Sequence, residues 1–233
     1  MAAKEEKPHR SSPVPSALPL LRPRKVHHLQ SYCELVPFLS VALSDGLFDP
    51  ITLLPPTTST SVIPFTHFIR IRYSMPQLKP GLSWSEYHFN TGISVLNFIV
   101  PTPQPGQSER QRTLLSEHQL LLSRDFLSLA LPYHCPYDPP TWADELSSAD
   151  MVHVLITAPP SPFSGCVSSS SVVDVMAIVA CYLTFVGGVK TKTVAKYVDS
   201  GVDAFAPELS DVWKGRIKGD GVEVIQRVAI ASP

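Results

Sequence analysis

An almost continuous apolar segment in the C-terminal third of the chain limits what it can fold into. Between residues 172 and 186 nearly every side chain is apolar, and Gly187 and Gly188 follow. A helix that is apolar on all sides is buried in a protein core or in a membrane. The most apolar stretch, residues 175–189, is shorter than the roughly 20 residues that cross a bilayer. The sequence therefore predicts a helix buried inside a globular domain, and no membrane partner.

The rest of the chain alternates between strand-like and helix-like segments. Residues 93–100 are almost wholly apolar and are followed by Pro101, which predicts an interior strand covered on both faces. Ser83 and Glu86 have the spacing of a capping box, which predicts that a short helix begins there. Further strands are predicted at residues 61–73, 126–133 and 151–157. Helices are predicted at residues 32–43, 84–89, 113–123, 142–149, 172–186, 192–198 and 208–217.

This alternation predicts one α/β domain, residues 31–230, with a single mostly parallel central sheet flanked by helices. Residues 1–30 are rich in proline, serine and basic side chains and have little apolar surface to bury, so they are predicted to form a disordered basic tail. The net charge of -1 gives no field that would attract nucleic acid or an anionic membrane. We therefore expect no nucleic-acid partner.

The four cysteines, at positions 33, 135, 166 and 181, form no metal-binding spacing and follow no secretory leader. We therefore expect neither a metal site nor a cofactor, and we expect the reducing environment of the cytoplasm or the nucleus. Cys166 is open to two interpretations, a reactive thiol near a helix start or an inert cysteine.

Five segments occur in a characteristic order: the strand at residues 68–71, ISVLNFIV, LALPYHCPYD, VHVLIT and VMAIVACYL. Over about residues 60–215 this order resembles the dual-specificity protein phosphatases. The resemblance implies a general-acid position at Asp138. When the helix sets the register, Ser168 stands at the nucleophile position and Asp174 at the arginine position. When the strand sets the register, Ala158 and Ser164 stand there instead.

The chemistry of that family needs a cysteine thiolate as nucleophile and an arginine that holds two phosphate oxygens. Neither register supplies this pair, and no lysine or arginine occurs between Arg124 and Lys190. The resemblance therefore implies a catalytically inactive, pseudophosphatase-like protein-interaction module. Its expected partner is a protein, such as a phosphoprotein or an active phosphatase.

The hydroxyl run formed by Ser168, Ser169, Ser170 and Ser171 precedes the apolar helix and has two interpretations. It is a candidate site for a weakly held anion, and it is also a candidate helix N-cap. The alternative function is a hydrolase with a non-standard site, in which a serine of this run is activated by His134 or His153 and oriented by Asp138.

Overall fold

The computed structural model describes residues 32–36, 38–43, 65–76, 78–103, 113–131, 152–159, 169–205, 213 and 215–231. The predicted tail at residues 1–30, the predicted helix at 142–149 and most of the one at 208–217 lie outside these ranges. The strands are β1 Tyr32–Val36, β2 Leu39–Leu43, β3 His67–Tyr73, β4 Ser83–His88, β5 Ile93–Val100 and β6 Val154–Ala158. The helices are α1 Glu117–Ala130, α2 Ser169–Gly187, α3 Thr191–Phe205 and α4 Asp220–Ile230.

The six strands form one sheet in the order β1-β2-β6-β3-β5-β4. The four inner strands, β2, β6, β3 and β5, run parallel to one another, whereas β1 and β4 pair antiparallel at the two edges. The predicted α/β class is thus confirmed, and the sheet is mixed because the strand at each edge pairs antiparallel with its neighbour. The predicted interior strand at residues 93–100 is confirmed as β5, which lies between β3 and β4.

All four helices contribute to one large core on a single face of the sheet. Helix α2 is the centre of this core, and twelve consecutive side chains, residues 172–183, are buried. Ile178, for example, is fully buried and belongs to the same cluster as Ile69 and Ile156 of the sheet. The predicted buried helix is therefore confirmed. The opposite face has a smaller cluster, made of Ala42, Phe68, Ile93, Val95 and Leu155.

Taken alone, each described helix falls short of the length and apolar character needed to span a bilayer. Only the bent pair of Ser171–Gly187 and Thr191–Ser200, which meet at 116°, reaches both when the two are counted together.

The predicted helix at residues 84–89 is wrong, because these residues belong to strand β4. The capping-box spacing of Ser83 and Glu86 is a local signal, and pairing of the whole segment with β5 overrides it. The capping box lies instead at the start of α1. There the Ser116 hydroxyl accepts a hydrogen bond from the Gln119 amide, and the Gln119 side chain accepts one from the Ser116 amide.

The predicted strand at residues 126–133 is also wrong over its described part, because α1 continues to Ala130. The apolar run of this segment is as compatible with a helix as with a strand, and the capped start at Ser116 decides for the helix. The predicted helix at residues 32–43 is wrong as well. That segment is the hairpin of β1 and β2, and Phe38 between them has a left-handed φ of 70° that ends any helix.

Candidate functional site

The carboxyl ends of the four parallel strands meet at one edge of the sheet, next to the amino end of α2. In open α/β sheets this is where ligands bind, because the strand ends and the first turn of a helix leave polar backbone groups free. Residues 159–168 connect β6 to α2 here. This edge is therefore the candidate functional site, and it is also where the serine run and Asp174 were predicted to act.

Ser171 joins the first turn of α2 to the end of β3. Its side chain is buried, with 1% of its surface exposed, and its hydroxyl forms a short hydrogen bond with the phenol hydroxyl of Tyr73. Tyr73 is the last residue of β3. The Ser171 hydroxyl is thus used in an internal contact between helix and sheet.

Asp174 lies one turn further along α2 and is fully buried. Its Oδ1 accepts hydrogen bonds from the Thr113 hydroxyl and from the Leu114 amide, both at 2.6 Å. No described residue forms a hydrogen bond with Oδ2. Burial raises the pKa of this carboxyl to about 7, although the Thr113 and backbone hydrogen bonds oppose the shift. Asp174 therefore links α2 to the segment that leads into α1.

A pair of hydroxyl residues missed by the sequence reasoning lies at the same edge. Ser74 follows β3 and Thr102 lies just beyond β5. The Thr102 hydroxyl donates to the Ser74 carbonyl at 3.0 Å, and the two hydroxyl oxygens are 3.3 Å apart. A small hydroxyl residue one or two positions after a strand was the available signal. These two residues tie the carboxyl ends of neighbouring strands together.

The structure brings only part of the predicted site together. Ser171 and Asp174 lie on adjacent turns of α2 but contact different elements. Ser169 and Ser170 are in the first turn of α2. Ala158, the alternative nucleophile position, ends β6 with 1% of its surface exposed. Ser168, Asp138, Ser164, His134 and Cys166 lie outside the described residues.

His153 directly precedes β6, at the opposite end of the parallel strands from the amino end of α2. Its backbone carbonyl accepts a hydrogen bond from the Thr66 hydroxyl, and its ring packs edge-on against Phe38 with centroids 5.2 Å apart. At about 3.3 Å per residue, the strand separates His153 from the candidate site by roughly 17 Å. His153 is therefore not placed to activate a serine at the start of α2.

Cys181, two turns before the end of α2, is a buried free thiol. Burial raises the pKa of this thiol to about 12, with the nearby Arg124 opposing the shift. At neutral pH the thiol is therefore protonated and a poor nucleophile.

Arg124 of α1 is fully buried, and its guanidinium binds the end of α4 rather than the candidate site. Its Nη1 donates to the carbonyls of Val228 at 3.0 Å and Ala231 at 2.6 Å. The guanidinium also lies 4.6 Å from the ring centroid of Phe185, a cation–π distance. Arg124 thus caps α4 and holds it against α1 and α2.

A small cavity of about 240 Å³ lies between the end of α2 and α4, lined by Phe185, Lys190, Gln226 and Ile230 among others. It is smaller than the usual range for small-molecule sites, roughly 300 to 1,000 Å³. Among the side chains that the structure describes, no three of His, Cys, Asp or Glu converge as metal ligands.

The fold, with its candidate site at the carboxyl ends of the parallel strands, is that of an α/β protein with a mixed sheet and a buried central helix. No protein-family model matches the chain, and no curated protein matches its sequence.

Proposed function

We propose that this protein is a catalytically inactive, phosphatase-like interaction module. The order of its elements supports the proposal, because three of the four segments that resemble phosphatase strands are the inner strands β3, β5 and β6, and α2 is the next described element after β6. One segment departs from the resemblance. The LALPYHCPYD stretch begins inside α1 rather than in a strand.

The proposal rests on the contacts of two side chains at the start of α2. In an active phosphatase of this type a nucleophile and an arginine would face the phosphate there. In this chain Asp174, at the arginine position of the helix-set register, is buried and bonded to Thr113 and Leu114. Ser171, the serine of the run whose side chain is described, is bonded to Tyr73. Both side chains form hydrogen bonds inside the fold instead of facing a ligand.

The strand-set register leads to the same proposal. Ala158 would take the nucleophile position, and a methyl group cannot attack phosphorus. The described thiol, Cys181, is buried and protonated. A surviving fold without the reactive groups supports a role in binding a protein partner, such as a phosphoprotein or an active phosphatase. That role requires no cofactor, and it fits a cytoplasmic or nuclear location.

The direct test is hydrolysis of an aryl phosphate and of a phosphotyrosine peptide by the purified full chain. We expect no turnover above a blank without protein. Turnover that is lost on Ser168→Ala would overturn the proposal and favour a serine-dependent hydrolase. Turnover that survives Ser168→Ala but is lost on Cys166→Ser would overturn it in favour of a thiol enzyme.

Restoring the missing pair is a poor test. An arginine at position 174 would have to bury its guanidinium where the carboxyl now accepts two hydrogen bonds. We expect Asp174→Arg to unfold the protein rather than to restore activity. The loss of structure would occur whether or not an ancestor of this chain was a phosphatase, so the variant could not distinguish the two cases.

A further inference from the structure

Among the residues that the structure describes, strand β4 has a backbone partner on one side only. It is the last strand in the sheet order and pairs with β5 alone. The Ile99 amide donates to the Leu82 carbonyl at 2.9 Å, which fixes the alternation of the ladder. The backbone groups of alternate residues from Trp84 onward therefore face β5. Those of Ser85 and Tyr87 face outward, and no described residue bonds to them.

The two faces of this edge carry different chemistry. On one face Tyr87 and Phe89 form an edge-to-face aromatic pair, with centroids 5.0 Å apart. Both are exposed, Tyr87 by 54% and Phe89 by 87%. On the other face, the Glu86 carboxylate lies 3.6 Å from Nε2 of His88, and both side chains are partly exposed. An exposed aromatic pair beside an open strand edge is typical of an interaction surface.

We propose that β4 pairs with β4 of a second copy of this chain, antiparallel and about a two-fold axis, so that two sheets become one. Such an interface is self-complementary, because each copy presents the same surface. In an antiparallel pair of identical strands, the outward-facing residues Ser85 and Tyr87 must bond to outward-facing residues. This condition leaves three registers near the middle of the strand: Ser85 opposite itself, Ser85 opposite Tyr87, and Tyr87 opposite itself.

Charge repulsion excludes one of these registers, and the extent of the pairing disfavours another. Placing Ser85 opposite Tyr87 would bring the two Glu86 carboxylates face to face, which is repulsive. Placing Ser85 opposite itself leaves Phe89 and His88 beyond the pairing. Placing Tyr87 opposite itself puts each Glu86 opposite the second copy's His88, and it gathers both Tyr87 and both Phe89 rings on one face. We therefore assign the register centred on Tyr87.

The same features favour a second copy over an unrelated peptide. Glu86 and His88 lie two residues apart on one strand, so a reversed copy of the strand brings each carboxylate opposite an imidazole. The strand also has neither proline nor lysine, the residues by which exposed edges are usually protected from pairing. Its single carboxylate is complemented in the proposed register.

The test is the molar mass of the full chain in solution, measured by light scattering over a range of concentrations. We expect a mass of two chains that falls to one on dilution. Ser85→Pro should weaken the dimer at least about tenfold, because it removes an outward-facing amide and leaves the amides that bond to β5 in place. A monomer at all concentrations, or a Ser85→Pro variant that associates as well as the unmodified chain, would overturn the proposal.

Two further variants test the aromatic face against a matched control. Tyr87→Lys places two lysines together at the axis and should dissociate the dimer. Ile230→Lys makes the same kind of change at an exposed apolar residue on α4 and should leave the dimer intact. If both variants dissociate it equally, the interface lies elsewhere.

A charge exchange tests the register. Glu86→Lys alone should weaken the dimer, because lysine would face His88. Glu86→Lys combined with His88→Glu should restore association, since each lysine would then face a glutamate of the second copy. Failure of the double variant to recover, with its thermal unfolding unchanged, would exclude the register centred on Tyr87. None of these outcomes depends on the hydrolysis assay, so this proposal and the proposed function can fail separately.

Discussion

The Asp174 carboxyl accepts a hydrogen bond from the Thr113 hydroxyl at 2.6 Å across 61 positions of sequence. This contact links the central helix α2 to the lead-in of α1. The Thr113 oxygen also accepts a hydrogen bond from the Leu115 amide at 3.1 Å, so one carboxyl and one hydroxyl organise the approach to the capped start of α1. The Asp174 carboxyl of this link is buried. Its burial costs free energy when the carboxyl is charged, so the cost depends on pH.

We predict that the free energy of unfolding falls as the pH rises from about 4 to about 7. Burial raises the pKa of Asp174 from 3.8 to about 7. Below this window the carboxyl is protonated in both states. Within it the folded chain keeps a proton that the unfolded chain releases, so the folded state loses stability as the pH rises, and above it the cost is complete. The expected loss is on the order of a few kcal/mol.

Asp174→Asn isolates this effect from other titrating groups. The amide oxygen can still accept from Thr113 and Leu114, and the side chain has no charge to bury. Urea unfolding at several pH values should show that the difference between variant and unmodified chain grows in favour of the variant from pH 4 to pH 7. Parallel curves would contradict the pKa assignment.

We predict that Arg124→Met lowers the free energy of unfolding by about 3 kcal/mol, because it removes the donors that satisfy the last carbonyls of α4. Arg124→Lys should recover only part of this loss, since an ammonium cannot reproduce the planar fork of donors or the stacking on Phe185. Urea unfolding midpoints measure both effects. Recovery of full stability with lysine would mean that charge alone is sufficient.

Arg227→Met is the matched control. Arg227 forms an ion pair with Glu117 between α4 and α1, but both side chains are more than half exposed. We expect a change below about 1 kcal/mol, as is usual for exposed ion pairs. A larger effect than that of Arg124→Met would show that the surface ion pair, and not the buried cap, holds α4.

The sequence predicted those elements whose signal does not depend on distant partners. Strand β5 was found because eight nearly wholly apolar residues stop at Pro101, and α2 was found because its apolar run is too long for a strand. The segment at residues 83–88 was misassigned because the Ser83 and Glu86 spacing imitates a cap, while the decisive partner, β5, follows later in the chain. The same kind of spacing, between Ser116 and Gln119, does mark the start of a helix, but it was not among the predicted caps.

The sequence predicted the location of the candidate site but not the contacts of its side chains. The serine run and Asp174 were expected near the start of α2, and the four of them that the structure describes, Ser169, Ser170, Ser171 and Asp174, lie there. The contacts of Ser171 and Asp174 are with Tyr73 and Thr113, which are 98 and 61 positions away in sequence. No local pattern indicates such contacts, because only the folded sheet brings the end of β3 against the first turn of α2.

We predict that Cys181 does not react with iodoacetamide in the folded protein at pH 8. The thiol is buried and burial raises its pKa to about 12, so the reactive thiolate is scarce and shielded. Peptide mass spectrometry should find Cys181 modified in urea but not in its absence. Modification in native conditions at the rate seen in urea would show that α2 opens readily.

The last prediction concerns the hydrogen bond between Tyr73 and Ser171 and distinguishes a structural serine from a ligand-binding one. If the two hydroxyls act mainly on each other, Tyr73→Phe and Ser171→Ala should each lower the free energy of unfolding by about 1 kcal/mol. The double variant should then lose little more than either single variant, because the same interaction is removed in all three. Urea unfolding supplies the four values of this cycle. Inorganic phosphate added to the unmodified chain and to Ser171→Ala serves as the second measurement. Equal thermal shifts in both, including no shift in either, are expected for a hydroxyl used inside the fold. Additive losses of stability, together with a phosphate-dependent shift that disappears in Ser171→Ala, would instead assign this serine to an anion site.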